Sequence, residues 1–409
     1  MKSLKELFRI GRGPSSSHTM GPQRAAQIFA ARWPQAKAFE VKLYGSLAAT
    51  GRGHMTDTAI VDVLSPVAPV QIVWNPHTFL PFHPNGMTFV ARDAEGATLD
   101  EWTVYSIGGG ALSEGKGEGD MFSATPERYQ LNSFTDIKKW CYRNGSGYWE
   151  YVRNNEEPDF EDFLMDVWDT MKAAVERGID REGVLPGPLH LPRKAAKYYT
   201  KARGYRASLQ SRGLVFAYAL AVSEENASGG IIVTAPTCGA CGVVPGVLYH
   251  LYQNHGFSDQ RILHALATAG LVGNVVKHNA SISGADVGCQ GEVGVACAMA
   301  SAAACQLFGG SPAQIEYAAE MGLEHHLGMT CDPVCGMVQI PCIERNAFAA
   351  ARALDANLYS AFSDGHHSVS FDRVVEVMKE TGHDLPSVYK ETSEGGLAKD
   401  FQKHMLSEF

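Results

Sequence analysis

No stretch of this 409-residue chain is apolar for long enough to cross a bilayer. The most apolar run, Val293 to Ala304, is rich in alanine and well short of the roughly 20 residues that a spanning helix needs, which sets a membrane anchor aside. The first residues, MKSLKELFRIGRGPSSSH, lack the continuous apolar core of a secretory leader, so the chain is expected in the cytoplasm. Cationic excess is missing too. Lys and Arg number 35 against 44 Asp and Glu, a net charge of −9, and such a balance disfavours nucleic acid as a partner. Fixed-period repeats and low-complexity tracts are absent, which excludes solenoids and argues against disorder. Zinc-knuckle spacing is lacking as well: Cys238 and Cys241 form a C-x-x-C, but no second pair follows at the distance a structural zinc site requires.

Cysteine itself is not scarce. There are nine, an odd number in a chain expected in a reducing compartment, so core packing, metal ligation or catalysis is favoured over disulfides. Hydrophobic residues make up 45%, and 42 glycines accompany them, the composition of a packed protein with many tight turns. A chain of this length exceeds one compact core, and two domains are expected.

The periodicities divide the chain. Gln23 to Trp33 carries apolar residues at helical spacing, Phe39 to Leu43 alternates as a half-buried strand does, and strands are predicted at Val70 to Trp74, Met87 to Arg92 and Thr98 to Tyr105. The first 110 residues are thus α+β, and Glu114 to Asp159 shows no clear period. From Phe160 a helical face appears at 160, 163, 164, 167, 168, 171, 174 and 175, ending at Gly178 as a capping glycine would. Further helices are predicted near Leu214 to Glu224, Ser258 to Val276 and Glu292 to Leu307. Ser311-Pro312-Ala313-Gln314 reads as a capping-box start of a helix that stops before Gly322.

Three stretches carry chemistry. Cys289, Cys331 and Cys342 lie in glycine- and proline-punctuated breaks between helices, where thiols can converge on a metal, whereas Cys297 and Cys305 lie inside the Ala-rich helical run and read as core. RGPSSSHTMGP, Arg12 to Pro22, sets Ser15, Ser16, Ser17, His18 and Thr19 at a helix N-terminus, which suits a carboxylate or phosphate as well as a simple cap. His54, held between Gly51, Gly53 and Asp57 in YGSLAATGRGHMTD, is expected on an exposed, flexible loop. SIGGG, Ser106 to Gly110, ends a strand, either to let a ligand approach the backbone or simply to turn.

In order along the chain, GPSSSHTMGP, YGSLAATGRGHMTD, YSIGGG, EGVLPGPLHLPR, APTCGACGVVPG, NASISGADVGCQGEVG and CDPVCGMVQIPCIERN resemble the signature stretches of the iron–sulfur-dependent L-serine dehydratases, also called L-serine ammonia-lyases. The resemblance implies an α+β substrate-binding domain over residues 1–150, then an all-helical catalytic domain over residues 160–409. It implies a 4Fe-4S cluster on Cys289, Cys331 and Cys342 with one iron open, and no pyridoxal phosphate. It also implies dehydration and deamination of L-serine to pyruvate and ammonia, as in amino-acid degradation and gluconeogenesis. His54 becomes the candidate base, Ser15, Ser17, His18 and Thr19 would hold the substrate carboxylate, and Ser106, Gly108 and Gly109 would line the same site. A small amino acid is the implied partner and a homodimer the implied assembly.

Cys238 and Cys335 stand where the family commonly has Asn and a small residue, and the N-terminal domain looks shorter than usual after its second strand. Two other readings stay open. L-threonine or another small β-hydroxy amino acid can replace serine, or Cys335 can complete a fully ligated cluster in an electron carrier or redox sensor.

Overall fold

The computed structural model describes residues 1–115, 126–399 and 401, apart from the side chain of Ser208. Seven strands are described: β1 (Ile10–Arg12), β2 (Ala38–Tyr44), β3 (Val70–Asn75), β4 (Gly86–Arg92), β5 (Thr98–Ser106), β6 (Leu112–Ser113) and β7 (Ile231–Val233). The sequence has an α+β N-terminal part and a helical remainder, and so does the structure. The unclear stretch after Glu114 contains helices Phe134–Asn144 and Tyr148–Asn155, while residues 116–125 lie outside the described residues.

Five strands form one sheet in the order β3-β2-β4-β5-β6, with β2 and β3 parallel and the other pairs antiparallel. β2 buries every second residue, Phe39, Val41 and Leu43, as its alternation predicts. These three pack with Phe29, Phe89 and Trp102 in a core of their own. Because β2 and β5 both run opposite to β4, their carboxyl ends lie at the same end of the sheet. That end gathers three turns: Gly45–Met55 after β2, His83–Asn85 before β4, and Ile107–Ala111 after β5.

The helical part centres on helix Val293–Leu307, whose residues are buried on nearly every side. An Ala-rich helix with no polar face belongs in an interior. It packs against helices Val243–His255, Asp259–Asn279, Pro312–Glu324 and Cys342–Ala361, and Cys297 and Cys305 lie within it as core residues. The chain begins in this core. Met1, Leu4, Leu7 and Phe8 pack among the helices, and β1 pairs antiparallel with β7, so the hydroxyl-rich turn that follows is delivered to the seam between sheet and helices.

Two glycines that read as helix ends are not ends. Helix Phe160–Asp180 runs through Gly178, and helix Pro312–Glu324 runs through Gly322. A Cβ at Gly178 would lie 2.2 Å from the Ala221 carbonyl oxygen, and one at Gly322 would lie 2.9 Å from the Ala298 backbone. Both glycines let helices touch backbone to backbone, a tertiary demand that a capping pattern cannot reveal.

Candidate active site

The Ser15–Met20 turn is wound as a π-helix over Ser16–Met20 that runs into helix Gly21–Arg32. All five of its residues are buried. The Ser15 hydroxyl accepts from the His18 amide at 3.0 Å. Thr19 is committed to the backbone: its hydroxyl accepts from the Ser15 amide at 3.1 Å and donates to the His54 carbonyl at 2.7 Å. Thr56 donates to the His18 carbonyl at 2.5 Å. The two histidines are thereby fixed with ring centroids 4.5 Å apart.

His54 corrects the expectation of an exposed, flexible loop, for it is 0% exposed. Its turn is clamped under the turn at Cys335–Gly336. A Cβ on Gly53 would come within 2.7 Å of the Gly336 carbonyl oxygen, and one on Gly51 within 2.3 Å of the Leu47 carbonyl oxygen. The glycines serve close approach, not mobility. His54 Nδ1 lies 3.2 Å from the Thr50 hydroxyl, which donates its single hydrogen to the Ser46 carbonyl at 3.1 Å. That hydroxyl must therefore accept from Nδ1–H, which leaves Nε2 as the bare nitrogen. Nε2 is buried without a hydrogen-bond partner among the described residues.

His18 is ordered by the same logic. Its Nε2 lies 3.3 Å from the Ser46 hydroxyl, which donates to the Glu391 carbonyl at 3.3 Å, so Nε2 carries the hydrogen. Its Nδ1 is then an acceptor, facing Ser17 Oγ at 2.9 Å and Glu391 Oε1 at 3.6 Å. Donor atoms of His18, His54 and Glu391 lie within 4.8 Å of one another.

Burial pushes His54 well below the ordinary 6.5, helped by His18, and pushes His18 and the distant His250 down to about 4. Folded, these imidazoles bind fewer protons than they do unfolded, so their contribution to stability is complete above pH 6.5 and is lost as pH falls toward 4. Each such imidazole costs about 1.4 kcal/mol of stability per pH unit below 6.5, while acids that burial raises, Glu391 to about 8 and Glu224 and Glu320 to about 7, act in the opposite direction over the same window. The Tm advantage of wild type over His250→Gln is therefore expected to narrow as pH falls from 6.5 to 5; calorimetry on both proteins checks it, and a pH-independent difference would contradict the burial of a neutral His250.

Of the three cysteines, Cys289 opens a short 3-10 turn, Cys331 bridges to Lys390, and Cys342 is the first residue of helix Cys342–Ala361. Cys342 is thus not in a break between helices but at the N-terminal end of one. The Cys331 thiol hydrogen-bonds Cys289, and this bond, with Arg345, holds Cys289 down to about 6 against burial. The same bond raises Cys331, and burial and the charge of Cys289 raise Cys342. The three thiols therefore sense one another. Arg345 is braced by the Thr330 carbonyl at 2.7 Å.

Ser106, Gly108 and Gly109 come to the same seam. Ser106 ends β5 with its hydroxyl buried and unpartnered among the described residues, over the start of helix Gly21–Arg32, where a Cβ on Gly21 would meet it at 2.3 Å. Gly108 and Gly109 turn with φ +97° and +58°, the first packing against Ser283 and the second against Ile282. Cys238 is buried with its sulfur 3.8 Å from Met20, and Cys335 packs with Leu189, Val334 and Met337.

Three site residues escaped the sequence reading. His83, held near 4 by burial, feels the charge of Asp286 and acts electrostatically on His18. Its Pro- and Gly-bounded turn, FHPNG, is the same signal that singled out His54. Glu292 accepts from Thr237 at 2.7 Å and is pushed up by burial and by Cys289. Glu391, raised to about 8 by burial and then by Cys289, lies between the thiols and the histidines.

The fold thus brings a buried imidazole with an unpartnered nitrogen among the described residues and three thiols that sense one another to the region where an α+β part meets a helical part. The chain belongs to the serine dehydratase family. The serine dehydratase alpha chain family matches residues 90–398 and the serine dehydratase beta chain family residues 3–72. The chain is 42% identical to an L-serine dehydratase of Streptomyces coelicolor, over 97% of this chain and 98% of that protein. It is 40% identical to an L-serine dehydratase of Haemophilus influenzae and 39% to L-serine dehydratase 1 of Escherichia coli, each over 97% of this chain and 99% of the relative. The Streptomyces alignment runs to 448 positions against 409 residues here, so that relative carries residues with no counterpart in this chain.

Proposed function

We propose that the chain is an L-serine ammonia-lyase that converts L-serine to pyruvate and ammonia, with a 4Fe-4S cluster on Cys289, Cys331 and Cys342. The observation that supports this best is the bare Nε2 of His54, buried without a partner among the described residues and close to Glu391, which feels the charge of Cys289. The donor set fits the group: three thiols coupled by a hydrogen bond and by charge, of the soft kind that iron–sulfur clusters take. When bound, a cluster with one iron free of thiolate supplies a Lewis acid for the departing hydroxyl.

The chain's own groups do the rest. His54 Nε2, already deprotonated and fixed through Thr50, takes the Cα proton. Substrate carboxylate is received by the Ser15–Thr19 turn and by Ser106 with the Gly108–Gly109 turn. The clamp of Gly53 against Gly336 keeps water from the base. Loss of water from serine leaves aminoacrylate, which rearranges to the imine and hydrolyses to pyruvate and ammonia.

Protein purified without oxygen is expected to be brown, to contain iron and sulfide, and to form pyruvate from L-serine with no pyridoxal phosphate added. Exposure to air should abolish activity, and iron with a thiol should restore it. Colourless, metal-free activity that carbonyl reagents abolish would overturn the proposal.

A further inference from the structure

L-Serine carries an ammonium group as well as a carboxylate and a hydroxyl, and the groups discussed above leave it without a partner. We infer that Glu391 binds the substrate ammonium; this rests on the proposed ammonia-lyase reading and deepens it.

The first observation is a meeting of acceptors. His18 Nδ1 is the acceptor nitrogen of its ring, because Nε2 carries the hydrogen toward Ser46, and it takes the Ser17 hydroxyl hydrogen at 2.9 Å. Glu391 Oε1 lies 3.6 Å from that nitrogen, which has no proton to give it, and His54 Nε2 is unpartnered among the described residues. Acceptor atoms of all three residues lie within 4.8 Å of one another, so a donor is still wanted between Glu391 and His54. A protonated amine brings three N–H donors and a positive charge.

The second observation is the backbone. Glu391 has φ +58°, a left-handed conformation that a side-chain-bearing residue rarely adopts. It is held there from two sides: its amide donates to the Cys331 carbonyl at 2.7 Å, and its carbonyl accepts from Ser46 at 3.3 Å. The effect is to tie the C-terminal loop to both halves of the site and to present the carboxylate to the enclosure, with its side chain 10% exposed. Strain of this kind is retained where surrounding structure enforces it.

Glu292, the other acid nearby, is the weaker candidate. One of its oxygens already accepts from Thr237 at 2.7 Å and the other from the Cys331 thiol at 3.9 Å. Among the described residues, His18 is the base that stands at ion-pair distance from Glu391, and its Nδ1 offers no proton. The assignment keeps His54 for the Cα proton, since the ammonium is bonded to that same carbon.

The test uses the anaerobic holoenzyme and two ligands that differ only by the ammonium, L-alanine and propanoate, with dissociation constants from calorimetry. Wild type is expected to bind L-alanine at least 30-fold more tightly. In Glu391→Gln that ratio should collapse to within threefold of unity through weaker L-alanine binding alone, and KM for L-serine should rise about 100-fold, the scale of a desolvated charge pair. If Glu391→Gln does not fold, Glu391→Asp serves, with L-alanine at least tenfold weaker and propanoate unchanged. A wild-type ratio near one, an undiminished ratio in the variants, or equal weakening of both ligands overturns the inference. Because binding is read without turnover, failure to make pyruvate from L-serine would overturn the proposed reaction separately.

Discussion

His54→Asn is expected to lower kcat at least 100-fold while iron and sulfide content and the visible spectrum stay at the wild-type level. The amide nitrogen of Asn can still donate to Thr50, so the turn that Thr19 and Thr50 hold should survive. What disappears is the bare nitrogen on the far side of the ring. A base positioned for proton transfer contributes about 10² to 10⁴ in rate, and 100-fold corresponds to about 2.7 kcal/mol of barrier. The direction of the histidine shift sharpens the expectation. Because burial holds His54 well below 6.5, the ring is already a free base at neutral pH, and kcat should not fall as pH drops from 8 to 6.5. A rate that falls across that range would mean a base with an ordinary pKa. Near-normal kcat in His54→Asn would move the role to another residue, and loss of iron in that variant would show that His54 supports the thiol loops instead.

The sequence carried the sheet almost to its boundaries because a half-buried strand writes its environment into alternate residues, as Phe39, Val41 and Leu43 do. It carried the capping box at Ser311 because that device is local, Ser311 accepting from Gln314 and Gln314 reaching back. It misjudged Gly178 and Gly322 because a glycine that admits another helix looks the same in sequence as one that ends its own. His54 was singled out for a reason that proved false: it stands in a glycine-bounded turn, but the turn is packed shut by Gly336, which lies 282 residues further on by the numbering of the chain. The sequence pattern could not show that burial, and burial is what makes the ring a base. Glu391 had no local signal at all. Its importance comes from a left-handed backbone and from contacts to Cys331 and Ser46, all of them products of tertiary structure.

Cys335→Ala is expected to retain iron, sulfide and turnover, whereas Cys289→Ala, Cys331→Ala and Cys342→Ala each lose all three. The four thiols differ in company. Cys289 is hydrogen-bonded to Cys331, and its charge raises Cys342; Arg345 faces Cys289 and steadies it. Cys335 packs with Leu189, Val334 and Met337, an apolar cluster apart from the main core, in a turn whose φ of +55° directs its carbonyl against Gly53. Its side chain therefore sits with the clamp over the His54 turn. An electron carrier would need a fourth protein ligand, and Cys335 is the residue that would supply it; a Lewis acid needs that position vacant, since a fourth thiolate would compete with the substrate hydroxyl. Removing one of three thiolates leaves two, too few to hold the cluster, so the three controls should be colourless. Iron content, absorbance and pyruvate formation are measured on all four variants after anaerobic reconstitution. If Cys335→Ala lost iron as the other three do, ligation would be by four cysteines, no iron would be open to substrate, and the elimination chemistry built on His54 and Glu391 would have no leaving-group catalyst.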